Sequence, residues 1–506
     1  MPPKKPGTMA SLWTLRNDIQ HTTAHGIPNI FRARHWFRRS LWAAFVMFAF
    51  CCAIWQCMEI IMTFYSYPLH EKMRLISDSK LMFPAVTICN LNSVRHSSLK
   101  KNLALNNTFL DFCLAQRWNS TGYPGAARDA TRCASSFSKF ASEFNRLSDE
   151  EKLDMGHQLE DMLIFCSFHG EPCNTSFFSG FINYKFGNCY TFNSRMRTDL
   201  RGRSIISEPL NTTKAGFIYG LHLELFIQQI EYVRDITHSA GIRLLVHNHL
   251  ATPFPEDEGV NIPPGTETDI GITKVVIRRL KHPYGSNCTD GEGIPNFYHD
   301  LYGFKYTREA CKRSCAQQSI MKHCGCSHWE FAVPPGLQYP KCNFSSPATR
   351  RCLELYEYKF AQDILPCHCP LQCKEELYSL TVSGSQWPAT AFLDKFSSNL
   401  RDKGGQLRAI ADIPQDMRDN MLKVVVYYQK LNYEDISEEP SITDIDLFSS
   451  VGGLVGLWVG ISLCTLAEFL ELAVNVVLIV AHACLSGSSQ GPASPGPMAS
   501  REGPPI

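Results

Sequence analysis

Two long apolar stretches constrain this chain more than any other feature. The first runs from Ser40 to Leu69 with Glu59 as its one charged residue. The second runs from Leu447 to Ala481, where Glu468 and Glu471 are the only charges. A helix needs about 20 apolar residues to cross a bilayer. Both stretches exceed that, no third is present, and runs of this length do not suit a globular core. The fold class that follows is a membrane protein: two transmembrane helices around one large, mixed α/β, disulfide-rich extracellular domain.

The first stretch is longer than the roughly 7–15-residue apolar core of a cleaved signal peptide, so it reads as a signal anchor. Arg32, Arg34, Arg38 and Arg39 crowd its N-terminal flank and mark that side as cytoplasmic. The C-terminus then returns to the cytoplasm. The expected organisation is a cytoplasmic segment over 1–40, a first span over 41–66, an outer domain over 67–446, a second span over 447–482 and a disordered tail over 483–506. Sequons at Asn106, Asn119, Asn174, Asn211, Asn287 and Asn343 all fall in the outer segment, which supports this topology. Of the 21 cysteines, sixteen, from Cys89 to Cys373, lie there too, an even number suited to closed pairing in an oxidising compartment. Cys51, Cys52, Cys57, Cys464 and Cys484 lie in or beside the spans and read as free thiols. A net charge of +1 gives no argument for a nucleic-acid partner.

Within the outer segment, Gly220–Ile227, Ile242–His247, Ile270–Ile277 and Lys423–Tyr428 carry β-branched or alternating apolar patterns and predict strands. Ser148-Asp149-Glu150-Glu151 is a capping box, and Leu153, Leu159, Met162 and Leu163 predict a helix behind it. Residues 307–323 also read as helical. Cys311 and Cys315 are four apart and share a helix face. Cys367 and Cys369 are two apart and share a face of an extended segment. Two parallel disulfide rungs between those faces are natural. The competing reading of Cys324-Gly-Cys326-Ser-His328 and Cys367-His-Cys369 as zinc ligands loses to the oxidising setting, and no metal is expected. His247-Asn248-His249 has no catalytic spacing, and no hydrolase or zinc-protease signature is present, so no enzyme is expected.

The second stretch carries the chemistry. As one helix it would measure roughly 52 Å at 1.5 Å per residue, against a bilayer core of about 30 Å. It must tilt, project or break. Gly452, Gly453, Gly456 and Gly460 crowd its first half, and Gly460-Ile461-Ser462 is the expected break. Broken backbone within a membrane is tolerated where it lines a water-filled path. Glu468 and Glu471, three apart, face one way, and in a symmetric oligomer they would form acidic rings that draw cations. The plainer readings are snorkelling to the cytoplasmic interface and helix packing.

From His25 to Leu485 the chain resembles the epithelial sodium channel/degenerin family, with its acid-sensing, bile-acid-sensitive and peptide-gated members. His25-Gly26 matches the gating motif before the first helix. Phe83-Pro84-Ala85-Val86-Thr87-Ile88-Cys89-Asn90 matches the segment after it. The run from Tyr184 to Asn193 matches the start of the palm, Leu431-Asn432-Tyr433-Glu434 the strand before the second helix, and Gly460-Ile461-Ser462 the Gly-x-Ser selectivity filter. The resemblance implies a homo- or heterotrimer in the plasma membrane, with a hand-like outer domain of palm, finger, knuckle and thumb (thumb about 288–375). It implies Na+ as the permeant ion, no cofactor, and amiloride as a blocker. It implies the disulfides Cys89–Cys189, Cys166–Cys173, Cys288–Cys373, Cys311–Cys369, Cys315–Cys367, Cys324–Cys352 and Cys326–Cys342. Cys113 and Cys133 remain and are assigned to each other in the finger. Ser449 falls where bulky residues lock degenerins open, and Gly452 and Gly453 follow it in the pore helix. Tyr67 and Tyr284 fall where an aromatic contact links the first helix to the thumb.

Departures from the family pattern bear on gating. Arg74 and Leu75 stand where acid-sensing members carry an acidic pair, and Gln429 stands in place of a second glutamate; Glu434 alone does not restore the arrangement. Proton gating loses its carboxylates. An extracellular peptide or small-molecule agonist, or a constitutively open state, is the remaining expectation. Ile461 is larger than the usual filter residue, which bears on Na+/K+ selectivity. The absence of Pro-Pro-x-Tyr argues against ubiquitin-dependent turnover of the epithelial type. The rival class is a non-conducting two-pass receptor or adhesion protein.

Overall fold

A computed structural model gives the fold. It describes residues 26–102, 105, 143–144, 146–196, 208–233, 236–334, 336–343, 346–460, 462, 465–468, 470–471, 473–474 and 476–478. The chain divides into a small unit, Met1–His70 with Pro440–Ile506, and a large unit, Glu71–Glu439.

In the small unit, Trp36–Tyr65 forms one helix of 30 residues, the one described helix long and apolar enough to cross a membrane. It starts at Trp36, with Arg38 and Arg39 in its first turn, ahead of the residues expected to span the membrane. A short helix, Ile27–Arg32, precedes it, and a second apolar helix spans Asp444–Val459.

The large unit is mixed α/β. In chain order its strands are β1 (Leu69–Ser77), β2 (Leu81–Met82), β3 (Ala85–Asn90), β4 (Leu163–Phe168), β5 (Glu171–Pro172), β6 (Phe178–Asn183) and β7 (Gly187–Phe192). They continue as β8 (Asn211–Thr212), β9 (Leu221–Phe226), β10 (Ile242–His247), β11 (Val260–Ile262), β12 (Thr266–Arg278), β13 (Lys374–Gln386) and β14 (Met421–Pro440). One sheet runs β13-β12-β14-β9-β4-β5 with β1 beside β14; a second runs β11-β10-β3-β7-β6. Alternate residues decide the core. Leu221, Leu223 and Leu225 of β9 and Leu422, Val424 and Val426 of β14 pack with Val86 and Ile88 of β3 and Leu244 of β10. That shared apolar cluster, rather than backbone propensity, holds the two sheets together.

The four expected strands are present, two of them longer than their apolar runs. β12 and β14 pair in parallel from Glu267↔Lys423 to Arg278↔Ser437, past a register shift between Ile272 and Lys274. The helix expected behind Ser148 is two pieces. Ser148 and Glu151 form the capping box, but Asp149–Met155 stops at Gly156 and a turn over Leu159–Met162 follows. Gly156 lies against the Asn188 side chain, which a Cβ would meet at 2.5 Å. Leu163 belongs to β4 instead.

Thr307 caps the helix Arg308–Cys324. Its Cys311 and Cys315 bond Cys369 and Cys367, forming the two rungs. The other disulfides are Cys89–Cys189, Cys166–Cys173, Cys288–Cys373, Cys324–Cys352 and Cys326–Cys342. These seven are the pairs that the resemblance implied; Cys113 and Cys133 lie outside the described residues. Arg313 of the same helix is buried. Its guanidinium lies 3.0 Å from Glu256 and 2.5 Å from Asp257, 4.3 Å above the Phe254 ring. Asn183 donates to the same Glu256 at 2.6 Å.

Three buried imidazoles, His157, His247 and His249, set a pH dependence. His247 shares Thr87 at 2.8 Å with the second sheet's interior, and His157 lies between Asn92 and Gln228. Burial pushes all three down from 6.5 to about 4. Between those values the unfolded chain takes up protons that the folded one refuses, so stability falls as pH drops from 6.5 toward 4. The large unit is expected to lose on the order of a few kcal/mol over that window. Thermal melting at stepped pH checks it; a flat profile there refutes it.

Candidate ion pathway

The Asp444–Val459 helix begins with a reciprocal cap. Thr443 Oγ1 accepts from Asp446 N–H at 3.2 Å, and Asp446 accepts from Thr443 N–H at 3.0 Å. The helix has two faces. Val451, Leu454, Val455 and Trp458 are half-buried and Val459 is buried. Ser449, Gly452, Gly453 and Gly456 recur at spacings of three and four on the other side, and all are exposed. A Cβ on Gly452 or Gly453 would meet nothing within 4 Å.

The buried face packs on Trp36–Tyr65. Ala49 and Ala53, four apart, are the buried residues of that helix, and such small residues let helices approach closely. Trp458 Nε1 donates to Gln56 Oε1 at 2.9 Å, and its ring meets Phe48 edge-on. Gln56 is thus the polar partner inside an otherwise apolar run, a residue the sequence displays openly but whose role only the packing reveals.

The helix breaks at the expected position. Gly460 closes it at φ +67, with its N–H bonded to the Gly456 carbonyl. Gly is the residue that takes this left-handed conformation without strain. Ser462 then caps the following turn: Thr465 N–H donates to Ser462 Oγ and Ser462 N–H to Thr465 Oγ1, both at 3.2 Å. Gly-x-Ser-x-x-Thr therefore reads as a stop followed at once by a start, a capping signal that the expectation of a break did not include. Ile461 lies outside the described residues. Beyond the break, Thr465–Glu468 is helical; Glu468 is half-buried and Glu471 exposed.

Gly26 caps Ile27–Arg32 at φ +88, and a Cβ there would lie 2.7 Å from Val46 Cγ2. His25 is outside the described residues. Gly26→Ala must move the short helix away from Trp36–Tyr65. Any current that depends on this segment is expected to fall by about tenfold, from about 1–2 kcal/mol of backbone strain. Current normalised to surface protein measures it; an unchanged value refutes it.

Elsewhere, Lys72 and Arg74 on β1 both bind Glu439 of β14, at 3.2 and 2.5 Å. The position expected to carry a repelling acid instead holds a cation in an ion pair. Gln429 packs over Gly271, where a Cβ would meet its side chain. Tyr67 takes φ +50 after the first helix, and Tyr284 lies in the turn Lys281–Asn287. Asn174, Asn211, Asn287 and Asn343 are exposed, while Asn106 and Asn119 lie outside the described residues. The cysteines of the zinc reading are all in disulfides. Cys51, Cys52 and Cys57 are free, and Cys464 and Cys484 are outside the described residues.

The family described as amiloride-sensitive sodium channel matches residues 19–472. Similar curated proteins include the epithelial sodium channel subunit gamma-2 of Xenopus laevis, 28% identical over 89% of this chain and 78% of that protein. The subunit alpha of the same species is 28% identical over 91% and 80%. The human subunit gamma is 26% identical over 89% and 80%. The match takes in the Gly26 cap, the disulfide-bonded large unit and the Gly460 break together, and those are parts of an ion channel rather than an enzyme. This chain belongs to the amiloride-sensitive sodium channel family.

Proposed function

We propose that the chain is a subunit of an amiloride-blocked, sodium-selective cation channel of the plasma membrane. Three subunits, this chain alone or with alpha- and gamma-like partners, bring their second helices around one axis. The observation that carries this reading is the exposed Ser449–Gly456 face ending in the left-handed Gly460. A lipid-facing anchor has no use for a glycine-lined face or for an interrupted backbone. The helix runs on past Ser462 to complete the second span, with both termini cytoplasmic.

The arrangement suggests how cations pass. A helix end leaves its last carbonyls without intrahelical donors and carries partial negative charge. Three such ends at Gly460, with Ser462 just beyond, offer oxygens to a partly dehydrated Na+. Glu468 and Glu471 raise cation concentration on the cytoplasmic side. Ser449 sits above, where added bulk holds the helices apart. Protons are not the stimulus, because Arg74 and Lys72 occupy Glu439; an extracellular ligand or a constitutively open state takes their place.

Expression alone in oocytes tests the reading. Resting or agonist-evoked current that amiloride blocks is the expected result. No current, alone or with alpha and gamma subunits, would leave a non-conducting receptor instead.

A further inference from the structure

A polar cavity of about 420 Å³ lies in the large unit, lined by the Leu159–Met162 turn and by the helices Leu393–Lys403 and Gly405–Ile410. It has no part in the ion pathway. Both signs of charge face it: Arg95 and Lys403 against Glu160, Asp161 and Glu231. Phe226 and Leu407 add an apolar patch. Ligand sites commonly measure about 300–1,000 Å³, so the volume suits an amino-acid-sized molecule.

The cationic groups keep donors in hand. Lys403 Nζ gives one proton to the Ile164 carbonyl at 2.8 Å, and an ammonium has three. Arg95 donates Nη2 to the Asp154 carbonyl at 2.6 Å and holds Nη1 3.8 Å from the Asp161 carboxylate, a loose pair that a ligand carboxylate can join, while its Nε is buried with no acceptor among the described residues.

A hydrogen-bonded relay fixes the amide that faces the cavity. Asn92 Oδ1 accepts from Val233 N–H and Thr237 Oγ1, and its Nδ2, which can only donate, faces His157 Nε2 at 2.9 Å together with the Val94 and Glu231 carbonyls at 2.7 and 3.0 Å, so His157 Nε2 is an acceptor. His157 then donates from Nδ1 to Gln228 Oε1 at 2.9 Å, and Gln228 Nε2 donates to Gln406 Oε1 at 3.1 Å. His157 is neutral near pH 7, as this polarity requires. Every bond runs the same way and ends on Gln406 Oε1, which leaves the N–H2 of this cavity-lining residue as the donor not used by the relay. Gln228 is held at φ +56, a left-handed conformation uncommon for a residue with a side chain. Such strain persists where surrounding contacts impose it, here the two bonds of the relay.

We propose that this cavity binds a small zwitterion, with its carboxylate at Lys403, Arg95 and the Gln406 amide and its ammonium at the Glu160, Asp161 and Glu231 carboxylates. The lining holds one more carboxylate than cation, so a ligand with a second ammonium binds better than one without. Free amino acids and short peptides with free termini share this chemistry. The site goes beyond the channel reading and does not depend on it.

Titration calorimetry on the purified full chain in lipid nanodiscs tests it, with L-lysine, glycine, lysylglycine, acetate and n-butylamine as probes. Saturable binding of L-lysine or lysylglycine, at least tenfold tighter than acetate or n-butylamine, is expected. The tighter of the two identifies the source. Lys403→Gln should weaken it tenfold or more and Gln406→Ala at least threefold, with unchanged melting; Arg408→Gln, outside the cavity lining, should not. No saturable binding, equal binding of a singly charged probe, or wild-type affinity in both cavity variants overturns the proposal. Heat is read without current, so failure of conduction and failure of this site are separate results.

Discussion

Gly460→Val is expected to lower sodium current per surface channel by a hundredfold or more. Gly460 holds φ +67. An L-residue with a side chain pays about 1–2 kcal/mol in that conformation, and a branched Cβ is among the least tolerated there. If the proposed channel holds three copies of this chain, the penalties add to about 3–6 kcal/mol, and each 1.4 kcal/mol is a factor of ten. The helix then prefers to run straight through, and the Ser462–Thr465 cap has no turn to start. Gly460→Ala should suffer less. Surface biotinylation alongside whole-cell current separates loss of conduction from loss of protein. Wild-type current in the valine variant contradicts the role of the break.

Arg313→Met should be the most damaging single change in the large unit. It keeps the side chain's apolar stem near Phe254 but removes the charge paired with Glu256, whose own side chain is 3% exposed. Removing one partner of a buried ion pair typically costs about 3–5 kcal/mol, since the other charge stays uncompensated. Burial already holds the Glu256 carboxyl above its usual value, with Arg313 opposing that rise. Without the arginine the carboxyl climbs further and takes up a proton on folding. The sign follows: a raised acid weakens the fold as pH rises, so the defect should shrink as pH falls toward 5. Arg313→Met with Glu256→Gln should recover most of the loss, because no bare charge remains. Surface yield and melting temperature report both variants. A single variant as stable as wild type, or a double variant no better than the single, overturns this account.

Local chemistry made much of this legible in the sequence, and distance hid the rest. Cys311 and Cys315, four apart, announced a shared helix face, and Gly460 announced the break, because both signals lie within one or two turns. The far half of β14 carries no strand pattern of its own, and only the resemblance at Leu431-Asn432-Tyr433-Glu434 pointed to a strand there. Its residues 429–440 are rich in Gln, Lys, Asn and Glu, and their extended form comes from parallel pairing with β12, far away in sequence. Gly156 was a local stop signal in its own right, while the close approach of Asn188, which leaves no room for a Cβ there, came only from the fold. The relay of Asn92, His157, Gln228 and Gln406 joins four segments with no common spacing, so only the folded chain reveals it. The Glu439 ion pair is a similar case, since Arg74 marked a departure from the family pattern without naming its partner.

In the proposed channel, Ser462 and its neighbours touch the ions that pass. Reversal potential under exchange of external Na+ for K+, compared between wild type and Ser462→Ala, reads this directly. A shift toward weaker discrimination in the variant, with amiloride-blocked current present in both, is the predicted result. Identical reversal potentials in the two channels, or no current from either with alpha and gamma subunits supplied, would contradict it.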